Sequence, residues 1–208
     1  VSNSPPSIDN IGITPSNFTN DDTIYCTATA TDADQSLTPD FLWTVGSLTF
    51  SGSSLDLSTL TVMPGDSLTC TASVVDAFGE PAELSVSMSA ANRPPTVGSV
   101  SITPTQAFTN SSLECLGSAT DPDGETPTVS IEWLVGGNSI GSGSSINLDN
   151  TLVSVGDTVS CTITATDAML ETNVGTATVT VDNTVPTIVD MTLPPASPTE
   201  NDTLTCTA

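Results

Sequence analysis

A repeat of about 90 residues runs through the whole sequence, and its cysteines mark the period. Cys26 and Cys115 are 89 residues apart, and Cys115 and Cys206 are 91 residues apart. The same interval of 91 residues separates Cys70 from Cys161. A unit of this length is the size of one small β-sandwich. We therefore expect a first domain at residues 1–92, a second at 93–183, and the first strands of a third at 184–208.

Alternation of apolar and polar residues around the cysteines predicts strands rather than helices. Ile24, Cys26 and Ala28 alternate with polar residues, which places the cysteine on the buried face of a strand. Trp43 and Trp133 lie in a second alternating segment, between the two cysteines of their repeats. No segment has a convincing helical period. The sequence therefore predicts an all-β protein, and its abundant threonine and valine suit strands.

Acidic residues outnumber basic ones by 24 to 1, and Arg93 is the one basic residue in a chain without histidine. A nucleic-acid partner or an anionic membrane surface needs lysine and arginine, so a formal charge of −23 excludes both. The lack of histidine and lysine excludes Ser/His and Cys/His nucleophiles, histidine metal ligands and Schiff bases. No apolar run approaches the roughly 20 residues of a membrane span, so direct membrane insertion is not expected.

After these exclusions, carboxylates are the groups left for catalysis or binding. They can serve as acid/base pairs or as ligands of hard cations. A carboxylate pair of the glycosidase type needs a sugar cleft with aromatic platforms. Both tryptophans are already placed in predicted cores, where they cannot serve as platforms. We therefore expect no enzymatic activity and no catalytic residue.

Two motifs recur around the order of cysteine strand, tryptophan strand and second cysteine strand. Ala-Thr-Asp occupies residues 30–32 and 119–121, and Gly-Asp-Ser/Thr occupies residues 65–67 and 156–158. With these motifs the chain resembles the immunoglobulin-like and PKD-like repeats found in tandem in large secreted or surface proteins of bacteria and archaea. The resemblance covers nearly the whole chain and implies tandem immunoglobulin-like β-sandwiches, each with one disulfide between its sheets. Leu68 and Val159 stand where antibody domains carry the tyrosine of the tyrosine corner.

The resemblance implies the disulfides Cys26–Cys70 and Cys115–Cys161, and it leaves Cys206 for a partner outside the segment. A free reactive thiol or a zinc site is the alternative. Zinc sites need closely spaced cysteines, however, and these cysteines have no near neighbours. Disulfides in each repeat indicate a protein outside the reducing cytosol, in the extracellular space or at the cell surface.

Acidic residues are concentrated in the loops after the cysteine strands, which lie at one end of an immunoglobulin-like sandwich. Oxygen ligands two residues apart are what calcium takes, with linker carbonyls and waters completing its coordination. The alternative is that these aspartates only stabilise turns, because their side chains accept hydrogen bonds from nearby backbone N–H groups. The second repeat is the better candidate, since Gln35 and Ser36 stand where it has Gly124 and Glu125. The candidate calcium ligands are Asp32, Asp34, Asp76, Asp121, Asp123, Glu125 and Asp167.

Three N-x-S/T sequons make Asn17, Asn110 and Asn201 candidate glycosylation sites. A chain this rich in asparagine, serine and threonine contains about as many sequons by chance. Exposed threonines would also suit the O-glycan coat of a surface fibre. The alternative is that threonine simply fits solvent-facing strands.

These features predict a non-enzymatic extracellular structural protein, in which tandem repeats form a stalk, a filament or a cell-surface fibre. Its expected partners are copies of itself or further repeats of the same chain. Residues 184–208 are either part of a cut array or a partial unit completed by another chain. The alternatives are an adhesin that recognises a glycan or a protein, with Phe50, Phe78 and Met169 as candidate contacts, and a spacer of a larger secreted enzyme.

Overall fold

The computed structural model describes residues 2–192, 194 and 196–206, and this part of the chain is all-β. Its regular structure consists of strands and one short 3₁₀ turn, Leu57–Thr59, which confirms the predicted fold class. The described residues contain no helix with the length and apolar character needed to cross a bilayer.

Seven strands of the first repeat form two antiparallel sheets. One sheet has the order β1-β2-β5 and the other the order β4-β3-β6-β7 once the strands are numbered along the chain. The strands are β1 Ser7–Thr14, β2 Thr23–Thr31, β3 Asp40–Val45, β4 Leu48–Ser51, β5 Ser54–Asp56, β6 Ser67–Val75 and β7 Pro81–Ser89.

The second repeat has the corresponding strands, with its first and second strands each divided into two short pieces. Its sheets have the orders β14-β10-β9, β11-β8 and β13-β12-β15-β16. The strands are β8 Thr96–Val97, β9 Ser101–Thr103, β10 Ser112–Leu116, β11 Ala119–Thr120, β12 Thr128–Val135, β13 Asn138–Ser142, β14 Ser145–Asn147, β15 Thr158–Thr166 and β16 Thr172–Thr180.

Apolar residues at alternate strand positions form the cores, as period-two patterning requires. In the first repeat, the fully buried Trp43 belongs to one cluster with Ile24 and Leu68. In the second repeat, Trp133 is fully buried, and its indole Nε1 donates a hydrogen bond of 2.9 Å to the Gly143 carbonyl. The described residues of each repeat therefore enclose a tryptophan in the core, as expected from the sequence.

Disulfides join the two sheets in each repeat. Cys26 of β2 is bonded to Cys70 of β6, with Cα atoms 6.4 Å apart, and Cys115 of β10 is bonded to Cys161 of β15, with Cα atoms 6.2 Å apart. These are the pairs implied by the resemblance. Cys206 is exposed and forms no disulfide with any described residue.

Contacts between Cα atoms divide the chain into two compact units whose limits differ from those of the repeats. Unit 1 contains the chain through Ser99 together with Gly117–Ser130 and Ile163–Gly175. Unit 2 contains Val100–Leu116, Ile131–Thr162 and the residues from Thr176 onwards. Two loop-bearing segments of the second repeat are thus part of the same unit as the first repeat. The division into domains at 1–92, 93–183 and 184–208 stays a prediction.

Hydroxyl groups pair with one another on the outer face of the sheet that contains β6 and β7. Thr69 and Ser87 lie 2.8 Å apart at their hydroxyl oxygens, and Thr71 and Ser85 form a second pair at 2.8 Å. Cross-strand pairs of this kind stabilise a sheet modestly. These half-buried threonines of β6 therefore have a structural role that requires no glycan.

Replacing Cys26 and Cys70 together by alanine is expected to lower the free energy of unfolding by about 4 kcal/mol, because the bridge spans a sequence separation of 44 residues. Urea denaturation followed by far-UV circular dichroism measures the change. Cys206→Ser is the matched control, since it alters an exposed thiol outside both disulfides. A double variant as stable as the control would contradict the prediction.

Candidate metal centre

The loop after β11 positions two acidic side chains of the second repeat. Asp121 accepts a hydrogen bond of 2.7 Å from the Asp123 backbone N–H through Oδ1, and its carbonyl accepts one of 3.2 Å from Gly124 N–H. Gly124 has a φ of +88°, a conformation that glycine adopts without strain. This turn lies between Asp121 and Glu125, which are four residues apart in the sequence.

The turn between β15 and β16 supplies the third acidic side chain. Asp167 is 5% exposed and accepts a hydrogen bond of 2.8 Å from Glu171 N–H through Oδ1. Glu125 is held against the same turn, because its Oε1 accepts a hydrogen bond of 2.8 Å from Ala168 N–H. Backbone donors from one turn therefore fix two carboxylates that come from different loops.

Carboxylate oxygens of Asp121, Glu125 and Asp167 all lie within 4.8 Å of one another. Two oxygens bound to one calcium ion at about 2.4 Å are at most about 4.8 Å apart, so this spacing fits a single ion. The donors are all oxygen, which suits a hard cation such as calcium. In the described residues this is the group of three that meets these limits.

Unpaired oxygen atoms beside the three carboxylates are the second feature of this cluster. Asp121 Oδ2 and Asn92 Oδ1 are both buried and have no hydrogen-bond partner. The amide of Asn92 lies at the cluster, because its Nδ2 donates to Asp167 Oδ2 at 2.9 Å and to Glu171 Oε2 at 3.1 Å. Burying an acceptor without a partner costs free energy, and a bound cation would supply that partner.

Asp123, a fourth predicted ligand, is paired with the one basic residue of the chain. Its carboxylate is fully buried and accepts hydrogen bonds from Arg93, from Nε to Oδ1 at 2.8 Å and from the backbone N–H to Oδ2 at 2.7 Å. Both oxygens are therefore occupied by donors. The structure places Asp123 in an ion pair and not among the three clustered carboxylates.

Arg93 also contacts the loop before β2. Its Nη1 donates to Asp21 Oδ2 at 2.8 Å and its Nη2 to Asn20 Oδ1 at 2.7 Å. The Thr19 hydroxyl lowers the pKa of Asp21, and the Arg93 guanidinium lowers it further. The amide of Asn20 completes the network by donating to the Asp123 carbonyl at 2.7 Å. All of these residues lie in unit 1.

The first repeat offers fewer acidic ligands at the equivalent loop. Asp32 Oδ1 accepts from Asp34 N–H at 2.6 Å, and Asp34 Oδ2 accepts from Ser4 N–H at 2.7 Å. Ser36 stands where the second repeat has Glu125, so the third carboxylate is missing. Asn3 Oδ1 and Asp32 Oδ2 are nevertheless buried without a hydrogen-bond partner, as their counterparts in the second repeat are.

Asp76 of the first repeat is buried and heavily hydrogen-bonded. Burial favours its neutral form, but donation from Asn3 Nδ2 at 2.7 Å and from the backbone N–H groups of Glu80 and Phe78 at 2.8 and 2.9 Å outweighs that effect. The pKa of Asp76 is therefore below its ordinary value of 3.8. Hydrogen bonds alone account for this carboxylate.

The three sequon asparagines, Asn17, Asn110 and Asn201, are exposed and lie outside the strands. Such positions are accessible to modification. Glycosylation stays a prediction, because exposure is a property of most loop asparagines.

Residues outside the predicted set, Asn3, Asn92 and Arg93, also line these loops. A signal for the asparagines was present, because Asn3, Asn92 and Asn183 recur just before the proline-containing start of each repeat. The charge of Arg93 could have drawn attention to it, because the one basic residue among 24 acids is expected to pair with a nearby carboxylate.

Comparison with known proteins finds no matching family model and no matching curated protein. Solved structures do match. A 1.5-MDa bacterial ice-binding adhesin, studied for its retention at the host cell surface, is 15% identical with a TM-score of 0.37, over 87% of this chain and 66% of that chain. A Ca²⁺-stabilized adhesin with which an Antarctic bacterium binds ice is 15% identical with a TM-score of 0.36, over 87% and 49%.

Three N-terminal domains of the bacteriophage RB49 highly immunogenic outer capsid protein match as well. They are 14% identical to this chain with a TM-score of 0.32, over 85% of this chain and 59% of that chain. This chain thus spans about half to two thirds of the matched chains. Identities and TM-scores this low assign neither a family nor a function.

Arg93→Ala is expected to lower the free energy of unfolding by about 3 kcal/mol, because it leaves the fully buried carboxylate of Asp123 without its charged partner. Chemical denaturation measures the loss. The matched experiment repeats Arg93→Ala in an Asp123→Asn background, where the same change should cost clearly less. Equal costs in the two backgrounds would show that the pair contributes nothing.

Asp76→Asn is expected to weaken the dependence of thermal stability on acidic pH. Because the pKa of Asp76 is lowered by folding, its stabilising effect is complete above about pH 3.8 and is lost as the pH falls through the folded-state value. Thermal unfolding from roughly pH 6 to pH 2 measures this slope. Glu83→Gln, which removes an exposed carboxylate on β7, is the control, and an equal effect in both variants would contradict the prediction.

Proposed function

We propose that this chain is a non-enzymatic structural segment of an extracellular protein, in which immunoglobulin-like repeats form a stalk or surface fibre. The observation that carries the proposal is the oxygen-lined cluster of Asp121, Glu125 and Asp167, with buried unpaired oxygens of Asp121 and Asn92 beside it. Such a cluster is suited to calcium and to fixing loops in place.

Disulfides support an extracellular location. Both join strands through the centre of a sandwich, as Cys26–Cys70 does between β2 and β6. Bridges in such positions form and persist in oxidising compartments and are rare in the cytosol. Calcium is also abundant outside cells, so a weak site there would be filled.

Acidic surface charge suits an elongated structural role. With 24 carboxylates and one arginine, copies of the chain repel one another unless cations intervene. This repulsion keeps the protein dispersed and opposes side-by-side collapse. The absence of histidine and lysine from the sequence agrees with the proposal that no catalysis takes place.

Calcium would act in unit 1 by tying together three segments that are distant in sequence. The loop after β11 contributes Asp121 and Glu125, the β15–β16 turn contributes Asp167, and the residue directly before the second repeat contributes Asn92. Without a cation, the three carboxylates repel one another at less than 4.8 Å. With calcium bound, the same charges would hold the segments together, and bending at the start of the repeat would be restricted.

Calcium at about 100 times its dissociation constant is expected to stabilise the fold by about 2.7 kcal/mol, which raises a thermal midpoint by several degrees. Differential scanning calorimetry with calcium and with a chelator measures the shift. Asp121→Asn and Asp167→Asn should each abolish most of it. Asp149→Asn is the control, because Asp149 is an exposed aspartate bound to Thr151 and lies outside the cluster.

Isothermal titration of the wild type with calcium and with magnesium supplies a second measurement. Calcium should bind more tightly, since it accepts six to eight oxygen ligands in irregular geometry, whereas magnesium requires a near-ideal octahedron. An unchanged midpoint with and without chelator, together with no heat of calcium binding, would remove the metal site from the proposal. The disulfide-based location would not be affected by that outcome.

A further inference from the structure

The first repeat lies against both loops that carry the clustered carboxylates. Asn20, in the loop before β2, donates from Nδ2 to the Asp123 carbonyl at 2.7 Å, in the loop between β11 and β12. The same amide donates to the Val62 carbonyl at 3.2 Å, which anchors it in the first repeat. On the β15–β16 turn, the Met169 methyl group lies 3.9 Å from the position that a Cβ on Gly65 would occupy. All of these residues belong to unit 1.

Arg93 forms a second connection between the first repeat and the loop after β11. Its Nη1 donates to Asp21 Oδ2 at 2.8 Å and its Nη2 to Asn20 Oδ1 at 2.7 Å, both in the first repeat. In the second repeat, its Nε donates to Asp123 Oδ1 and its Nη2 to the Pro122 carbonyl, each at 2.8 Å. One side chain thus holds two successive residues of the loop against the first repeat.

The residues held by Arg93 lie between two of the clustered carboxylates in the sequence. Asp121 and Glu125 belong to the cluster, and Pro122 and Asp123 between them bind Arg93. Asp121 Oδ1 also accepts a hydrogen bond of 2.7 Å from Asp123 N–H. A displacement of Asp123 therefore acts on a carboxylate of the cluster through one hydrogen bond.

We propose that Asn20 and Arg93 are positioning residues for calcium, so that the first repeat sets the calcium affinity of the second. The inference rests on the proposed function and deepens it, because it names what regulates the same site. Ligands that are already held in place bind a metal more tightly than ligands that must first be ordered. By reciprocity, calcium in the cluster strengthens the contact between Arg93 and the loop before β2.

Charge and positioning predict opposite effects for Arg93. A guanidinium repels calcium, so an effect of charge alone would make calcium bind more tightly once Arg93 is removed. An effect of positioning makes calcium bind more weakly. Arg93→Lys separates the two effects, because it keeps the charge and loses the planar set of donors. Asn20→Ala is the second variant, since it removes hydrogen bonds without changing any charge.

Isothermal titration of the 208-residue chain with calcium measures the effect. Asn20→Ala and Arg93→Lys are each expected to weaken calcium binding about fivefold or more, because each removes hydrogen bonds that hold a ligand-bearing loop. Asn10→Ala is the matched control, because the Asn10 amide donates to Thr29 Oγ1 within the first repeat. It should change the calcium affinity less than about twofold.

Hydrogen exchange without calcium supplies a measurement that does not depend on the metal. Gly124 N–H donates to the Asp121 carbonyl and Ala168 N–H to Glu125 Oε1, so these two amides report the order of both loops. In Asn20→Ala both should exchange faster than in the wild type, by about fivefold, because the loops open locally more often. Unchanged exchange rates along β6 establish that the variant is folded.

The outcomes distinguish this inference from the proposed function. A wild type that binds calcium, with both variants binding it equally well to within about twofold, would overturn the positioning role and leave the calcium site in place. Unchanged exchange at Gly124 and Ala168 in Asn20→Ala would overturn it as well, as would an equal loss of affinity in Asn10→Ala. A wild type that binds no calcium would reject the metal site and the inference together.

Discussion

Repulsion between carboxylates is the constraint that the loops of this protein must satisfy. Most aspartates meet it by accepting backbone hydrogen bonds within their own turn. Asp22, Asp66 and Asp157 each accept from the N–H three residues earlier, at 2.8, 2.9 and 2.8 Å. Asp202 repeats the pattern at 2.6 Å. Turn chemistry thus accounts for these acids, and they need no cation.

At two places in unit 1, hydrogen bonds within a turn do not offset the charge of the carboxylates. At Asp123, the buried charge is matched by Arg93, which also brings in Asp21. At Asp121, Glu125 and Asp167, no described cation is within bonding distance, and the oxygen atoms beside the cluster remain unpaired. Neighbouring loops of one repeat therefore use two different solutions. One is an ion pair within the chain, and the other is a group of three carboxylates beside unpaired buried oxygens, which a cation from solution would match.

Strand patterning made the scaffold predictable from the sequence. Cys26, Trp43 and Cys70 lie on the buried faces of β2, β3 and β6, because side chains alternate strictly between the two faces of a strand. The clustered acids were predictable as a larger set, and the contrast between Glu125 and Ser36 indicated the second repeat. The pairing of Asp123 with Arg93 was not predictable, because Asp121 and Asp123 are only two residues apart and their separate directions are set by the turn.

The single arginine gives successive repeats different junction chemistry on one scaffold. Ser4, Arg93 and Thr184 occupy the same position at the start of the three repeats, directly after Asn3, Asn92 and Asn183. The asparagine and the proline-containing start are retained, and the first two repeats share a backbone frame in which Ser4 N–H and Arg93 N–H donate to Asp34 and Asp123. A guanidinium is present only in the second, where it holds a buried carboxylate at any calcium concentration. The starts that carry serine or threonine lack this guanidinium, and in the first repeat the aspartate equivalent to Asp123 is held by a backbone donor alone, since Ser4 N–H donates to Asp34 Oδ2 at 2.7 Å.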